Sequence, residues 1–315
     1  MHAKRRASRF ASEPVLNREG QPTLPIMTNR QESLLAFLHR NRYATFADIH
    51  AYLGGDATAL RRTIRVLKGK PTNYIKVCDQ HAEERNLRRK VAYELDKNGV
   101  EYLRRSGVHV PDRSYARNFT HAALASHVTA SIEAGIAAAP NARLISWAEI
   151  LSSKAMPEAT KRLDYPAAMP AAYHVDGEVF EKSVRADSHP FGIELAIDDR
   201  KKFRFFPGVE ADTGTEPVAT TNFERTSIFS KFMAYLAIEE AETYRSHFGF
   251  PIFFVPFVTT NEARMRTMMA ELERITRGRG SKTLMFKVAD RESPAGYLFS
   301  DPWFRVGHDP VILSK

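Results

Sequence analysis

The stretch KFRFFPGVEADTGTE (202–216) decides how this chain is read. Its aromatic run predicts a strand, Pro207-Gly208 interrupts it, and Val209-Glu210-Ala211-Asp212 continues it before a Gly-Thr turn. Side chains alternate across a strand with period two, so Glu210 and Asp212 share one face. Upstream, VRADSHPFGIEL (184–195) predicts a second strand, and AIDDRKK (196–202) has the composition of a turn. The two runs form an antiparallel hairpin. Asp187 sits near the start of its first strand, and the hairpin brings it close to Glu210. Such acids could bind a metal, form a solvated strand end, or be what remains of a lost catalytic site.

The flanking segments predict the rest of this domain. HAALASHVTASIEAGIAAA (121–139) is Ala-rich and helical, and RLISWAEI (143–150) reads as a strand. Residues 151–183 read as a long irregular stretch. ERTSIFSKFMAYLAIEEAETYRSHF (224–248) predicts one long helix with Ile228, Phe232, Tyr235 and Leu236 buried. PIFFVPFVTT (251–260) is a buried strand, NEARMRTMMAELERITRGRG (261–280) a helix capped by Asn261, and TLMFKVAD (283–290) a last strand. Helix, three strands, helix, strand, helix, strand is the order of an α/β domain around a mixed sheet.

An aspartate opening one strand, with Glu-x-Lys on the next, is how PD-(D/E)XK nucleases hold magnesium. Hard divalent ions take carboxylate oxygens and water, and the ion activates water and steadies the leaving oxygen. Asp187, Glu210 and Asp212 are therefore the candidate catalytic and metal-ligating residues, for magnesium or manganese. Asp212 stands where the lysine of Glu-x-Lys would be. Lys231, on the following helix, is placed to bring an ammonium back to that point. Three readings remain: an active metal nuclease, a nuclease-like scaffold without catalysis, and an unrelated sheet with polar strand ends. The scaffold is favoured. His121 and His127, six apart on a helix, are too far apart for an i, i+4 metal pair and read as partly buried helix residues. HVDGE (174–178) reads as a turn, and GRGSK (278–282), which lacks the full phosphate-loop pattern, as a basic loop.

The N-terminal third has a different texture. Thr28 with Gln31 forms a capping-box pattern before Leu34, Leu35 and Leu38. A second helix follows in TFADIHAYLG (45–54). The third, DATALRRTIRVLKGK (56–70), is capped by Asp56 and turns Leu60, Ile64 and Leu67 inward. Thr58, Arg61, Arg62, Arg65 and Lys68 fall on its other faces, with Lys70 just beyond. YIKVC (74–78) and VAYEL (91–95) are β-like, and RNLRRK (85–90) lies between them. Three helices and a basic two-stranded hairpin make the order of a winged helix-turn-helix. Its third helix would enter the major groove, while Arg88, Arg89 and Lys90 of the wing would meet phosphates.

Charge divides the chain the same way. Residues 1–110 hold 21 Lys+Arg against 11 Asp+Glu, and residues 111–315 hold 25 against 26. The whole excess of a chain with net charge +9 lies in the first third. A basic module beside a neutral one points to a polyanion, most commonly nucleic acid. The longest strongly apolar run, PIFFVPFV (251–258), is far short of the roughly 20 residues of a membrane helix. No apolar segment follows the basic start, so no secretory signal is expected. Cys78 is the only cysteine, which excludes an internal disulfide and a cysteine-built zinc cluster. A cytoplasmic protein is expected, with no membrane partner.

In sum the fold class is α+β to α/β. A disordered basic arm (1–27) precedes a winged-helix DNA-binding domain (28–110), a linker (111–119) and a PD-(D/E)XK nuclease-like αβββαβ domain (120–315). Over about residues 28–290 the chain resembles the replication-relaxation family of bacterial plasmid, phage and mobile-element proteins. The resemblance is carried, in order, by VAYELDKNGVEYLRRSG (91–107), the helix around His127, SWAEI (146–150) with Trp147 and Glu149, RAD (185–187), GVEADTGTE (208–216), and ERTSIFSKFMAYL (224–236) with Lys231 and Tyr235. Asp96 stands where the family has Thr, and 151–183 is inserted. The resemblance implies a double-stranded DNA-binding protein of replication, mobilisation or regulation, in which Glu-x-Asp is the usual form. A second copy of the chain, or a replication or mobilisation protein such as a relaxase, is the partner expected besides DNA.

Overall fold

Short polar residues start the first helices, as their sequence predicts. The Gln31 amide donates to the Thr28 hydroxyl at 3.3 Å, and the Thr28 amide donates to the Gln31 side chain at 2.8 Å, completing the capping box of α1 (Asn29–Asn41). After β1 (Ala44–Thr45), Thr45 and Asp48 cap α2 (Phe46–Leu53) in the same way. Asp56 accepts from the Ala59 amide at 2.7 Å to start α3 (Ala57–Lys68). β2 (Ile75–Val77), β3 (Ala92–Leu95) and α4 (Lys97–Arg105) follow. The computed structural model describes residues 26–70, 73–78, 91–108, 118–220, 226–289 and 293–315. It divides the chain into two compact units, 1–115 and 116–315. The architecture is mixed α and β. Among the described residues no helix is long and apolar enough to cross a membrane.

In the first unit, β1, β3 and β2 form a three-stranded antiparallel sheet in that order. Leu34, Leu35, Leu38, Ile49, Leu60, Ile64 and Leu67 are buried beneath it, so each helix presents the stripe its spacing predicts. Gly99 is required by packing, because a Cβ there would overlap the Tyr74 carbonyl. The expected wing residues Arg88, Arg89 and Lys90 lie outside the described residues, as do the arm except for Ile26 and Met27 and the linker except for its last two positions.

The second unit begins with α5 (Phe119–Ala138), capped by Asn118. Then come β4 (Ala142–Ile145), α6 (Trp147–Ser152), α7 (Glu158–Lys161), β5 (Met169–Val175), β6 (Glu178–Val184), β7 (Phe191–Ile197), β8 (Arg200–Phe206) and β9 (Glu210–Asp212). α8 (Ile228–Glu240), α9 (Thr243–Phe248), β10 (Val255–Thr259), α10 (Glu262–Ile275), β11 (Leu284–Val288), α11 (Tyr297–Ser300), β12 (Trp303–Arg305) and β13 (His308–Val311) complete it. A five-stranded sheet runs β13-β12-β11-β10-β9; β9, β10 and β11 are parallel and the other two antiparallel, so it is mixed as expected. β4, β7 and β8 form an antiparallel sheet, and β5 pairs with β6.

Two apolar clusters cover this framework. Phe232, Tyr235 and Ile238 of α8 and Met265, Met268 and Leu272 of α10 pack with Phe257 and Phe286. Leu124, Val128 and Ile132 of α5 pack with Ala211, Val258 and Met285. Strand alternation sends neighbouring residues to opposite clusters, so the central strands are buried on both faces.

Four expectations are corrected. The run 202–212 is two strands, because Gly208, at φ 141°, turns the chain between them, with β8 pairing to β7 and β9 to β10. SWAEI is helical, since Ser146 and Glu149 form a capping box. Residues 151–183 contain the β5–β6 hairpin, whose Asp176-Gly177 turn takes positive φ. The helix expected over 224–248 breaks at Glu242, φ 50°, into α8 and α9.

Phe257 has 1% of its surface exposed and meets Phe232, Tyr235 and Phe286. Phe257→Ala should lower the stability of the second unit by about 3–5 kcal/mol, measured by urea denaturation.

Candidate functional site

β9 carries two buried acids, each 2% exposed. The segment before β7 is laced to it. The Asp187 amide donates to the Val209 carbonyl at 2.9 Å, the Val209 amide to the Ser188 hydroxyl at 2.9 Å, and the Ala211 amide to Asp187 Oδ2 at 2.9 Å. Gly208 permits this approach, because a Cβ would fall 2.6 Å from both Ala186 Cβ and the Ser188 carbonyl oxygen. Asp187 thus comes beside β9 from a loop, as a neighbour of the strand that carries Glu210.

Each acid is met by protein donors. Glu210 Oε1 accepts from the Tyr235 hydroxyl at 2.6 Å, and Lys231 Nζ lies 3.0 Å from Glu210 Oε2 and 3.1 Å from Glu216 Oε2. Asp187 Oδ1 lies 2.8 Å from His121 Nε2. Asp212 accepts the Arg264 fork, Nε to Oδ2 at 2.9 Å and Nη2 to Oδ1 at 3.1 Å, and the Thr259 hydroxyl at 2.9 Å. Arg264 also donates to the Glu216 carbonyl. Bidentate guanidinium–carboxylate pairing is among the stronger charge-assisted contacts.

The electrostatics follow from burial and these partners. Burial is the largest influence on the Glu210 carboxyl and pushes it up, to about 7; Asp187 acts in the same sense and Lys231 and Tyr235 against it. Burial opposes the Lys231 ammonium, but Glu210, Asp187 and Glu216 outweigh it and raise its pKa. Burial would raise Asp187 and Asp212, yet both are held below the usual aspartate value. His121, Lys231 and the Ala211 amide do this for Asp187, and Arg264, Thr259 and the Gly214 amide for Asp212. The contact with Asp187 raises His121 against the effect of burial.

Magnesium or manganese needs several carboxylate oxygens free to converge. That demand is not met. Asp187 and Glu210 come together around Lys231, but Asp212 is drawn away to Arg264. Among the described residues no three His, Cys, Asp or Glu side chains are grouped to hold a metal ion. The three-acid set expected from strand alternation is therefore replaced by acid–cation pairs. His121, Glu216, Thr259 and Arg264 were not singled out as partners from sequence. Its spacing marks His121 only as half of a histidine pair too far apart to hold a metal.

On the first unit, Thr58, Arg61, Arg62, Arg65 and Lys68 of α3 are exposed, as is Lys70. Leu60, Ile64 and Leu67 hold the opposite face inward. The Arg61 guanidinium lies 4.7 Å from the Phe46 ring centroid, which steadies its stem while its donors stay at the surface. Arg61, Arg62, Arg65 and Lys68 form no ion pair among the described residues. No family model, no curated protein and no solved structure matches the chain.

Asp187→Asn should lower the His121 pKa, read by NMR titration. A raised histidine pKa contributes stability that is full below about pH 6.5 and lost as pH rises through the folded value. The variant should lose that part of the pH profile. Arg264→Leu leaves Asp212 buried with its cation removed and should cost about 3–5 kcal/mol in denaturant unfolding. Asp212, with a lowered pKa, contributes stability above about pH 3.9 that is lost as pH falls through its folded value, and the variant should be less acid-sensitive there.

Proposed function

We propose that this chain binds double-stranded DNA through α3, and that its second unit is a nuclease-like scaffold without metal-dependent cleavage. The observation that carries the reading is the two-sided character of α3. Its apolar stripe is buried, while Arg61, Arg62, Arg65 and Lys68 stand exposed, with no acid paired to them among the described residues. Exposed cations on one helix suit phosphates and guanine edges. In this reading the first unit is a winged helix-turn-helix. α2 and α3 form the helix-turn-helix, Thr58 and Lys70 flank the contact surface, and Arg88, Arg89 and Lys90 belong to the wing.

The second unit is read as PD-(D/E)XK-like from the β7–β8 hairpin, the short β9 with Glu-x-Asp, and the Asp187 beside it. Lys231 and Arg264 supply the positive charge that a divalent ion would bring to a working nuclease. The resemblance to replication-relaxation proteins supplies the setting: a cytoplasmic protein of a plasmid, phage or mobile element, acting in replication, mobilisation or regulation. A scaffold of this kind would serve self-association or the recruitment of a partner such as a relaxase.

Duplex binding should weaken steeply with salt as counterions are released. At about 150 mM salt, Arg61→Ala/Arg65→Ala should bind duplex DNA roughly tenfold or more weakly than the unaltered chain, from about 1–3 kcal/mol per base contact. Equal binding would remove the proposal for α3. With magnesium or manganese, a plasmid-nicking assay should show no cutting above background. Cutting that depends on metal and disappears in Glu210→Ala would instead establish an endonuclease or nickase using Asp187, Glu210 and Asp212.

A further inference from the structure

GRGSK (278–282) follows a helix rather than a strand, yet the fold builds its loop with care. Arg277, Gly278 and Gly280 take positive φ, at 52°, 81° and 67°. A Cβ on Gly280 would overlap the Val306 carbonyl, and one on Gly307 would fall 2.5 Å from the Arg279 carbonyl oxygen. The loop is thereby pressed against the turn between β12 and β13, and the Ser281 amide donates to the Val306 carbonyl at 3.2 Å. Glu239 of α8 accepts from the Ser281 hydroxyl at 2.6 Å, the Thr283 hydroxyl at 3.0 Å and the Lys282 amide at 3.2 Å. Arg305 clamps the other side, donating from Nη1 to the Lys282 carbonyl at 3.0 Å and from Nε to the Asp309 carbonyl at 2.8 Å.

The side chains on this clamped backbone are cationic. Arg277, Arg279 and Lys282 are exposed, and none forms an ion pair among the described residues. The acid at the loop, Glu239, uses both oxygens on hydroxyls and an amide. The neighbouring Arg274 is already paired with Glu271 at 2.7 Å. The cations stand out locally, because residues 111–315 hold 25 Lys+Arg against 26 Asp+Glu.

We propose that loop 277–282 is a second contact for the phosphate backbone of nucleic acid, separate from α3. It rests on the duplex-binding reading of the first unit. Guanidinium forks match phosphate oxygens bidentately. Phosphate contacts position a protein on the duplex without reading its sequence, so this contact is expected to carry no sequence preference. It also has no large apolar side chain to enter a bilayer, which favours nucleic acid over an anionic membrane surface.

The test is Arg277→Ala/Arg279→Ala/Lys282→Ala in the full chain. The glycines, Glu239 and Arg305 are untouched, and an unchanged melting temperature checks that the fold is kept. Affinity for a labelled mixed-sequence duplex is measured between about 50 and about 200 mM salt. The slope of log K against log salt should become shallower by about two to three, with no change in preference among duplex sequences. An unchanged slope and affinity, while Arg61→Ala/Arg65→Ala weakens binding, would overturn the loop contact and leave the α3 reading intact. No duplex binding by the unaltered chain would remove both. Tighter binding to phosphatidylserine vesicles than to duplex, lost in the triple variant, would overturn the choice of partner.

Discussion

Glu210 and Asp212 lie on a strand covered on both faces, and a carboxylate in that position costs several kcal/mol unless it is paired and hydrogen-bonded. The second unit meets this demand with cations from two helices. Lys231 comes from the first turn of α8 and Arg264 from the first turn of α10. The placement of Arg264 traces back to its cap, because Asn261 accepts the Arg264 amide and so sets where α10 starts. The same helices bring Phe232, Met268 and Leu272 onto the sheet. Apolar packing supplies most of the attraction, while the ion pairs limit the register in which α8 and α10 can lie. A helix shifted by one turn would keep much of its apolar contact and leave a buried charge without a partner.

Strand alternation links this polar layer to the core. Glu210 and Asp212 face α8 and α10, and Ala211 between them faces α5. The Ala211 amide holds Asp187, and Asp187 in turn holds His121 near the start of α5. Three residues of backbone therefore tie both helical layers and the β7 loop to one strand edge. In a site assembled this way each acid of β9 already has a protein cation beside it.

The cations of this chain fall into two groups by burial. Lys231 and Arg264 are largely buried, weakly screened by salt, and committed to carboxylates. Arg61, Arg62, Arg65 and Lys68 on α3, with Arg277, Arg279 and Lys282 after α10, are exposed and form no ion pair among the described residues. Interactions of exposed charges fall with ionic strength, whereas buried pairs are screened much less. Net charge alone does not separate the two groups; burial does.

Much of the local structure could be read from the sequence because its causes are local. Thr28, Thr45, Asp56 and Asn261 cap helices through side chains three residues from their targets, and Leu60, Ile64 and Leu67 declare the inner face of α3 by spacing. Asp198-Asp199 closes the β7–β8 hairpin, both residues taking the positive φ such a turn requires. The nearness of Asp187 to Glu210 could be anticipated from the hairpin. The break at Gly208 could not, because it depends on which sheet each half of the run joins. Nor could the β5–β6 hairpin or the bend at Glu242, where surrounding packing overrides a continuous helical pattern. Of the partners of the acids, Lys231 could be singled out from its place on the following helix, while Arg264, 52 positions from Asp212, lay furthest out of reach. Sequence determined that two acids would share a strand face. Only the tertiary structure decided that Lys231 pairs with Glu210 and that Arg264 takes Asp212, because ion pairing between distant residues exists only once the helices have packed on the sheet.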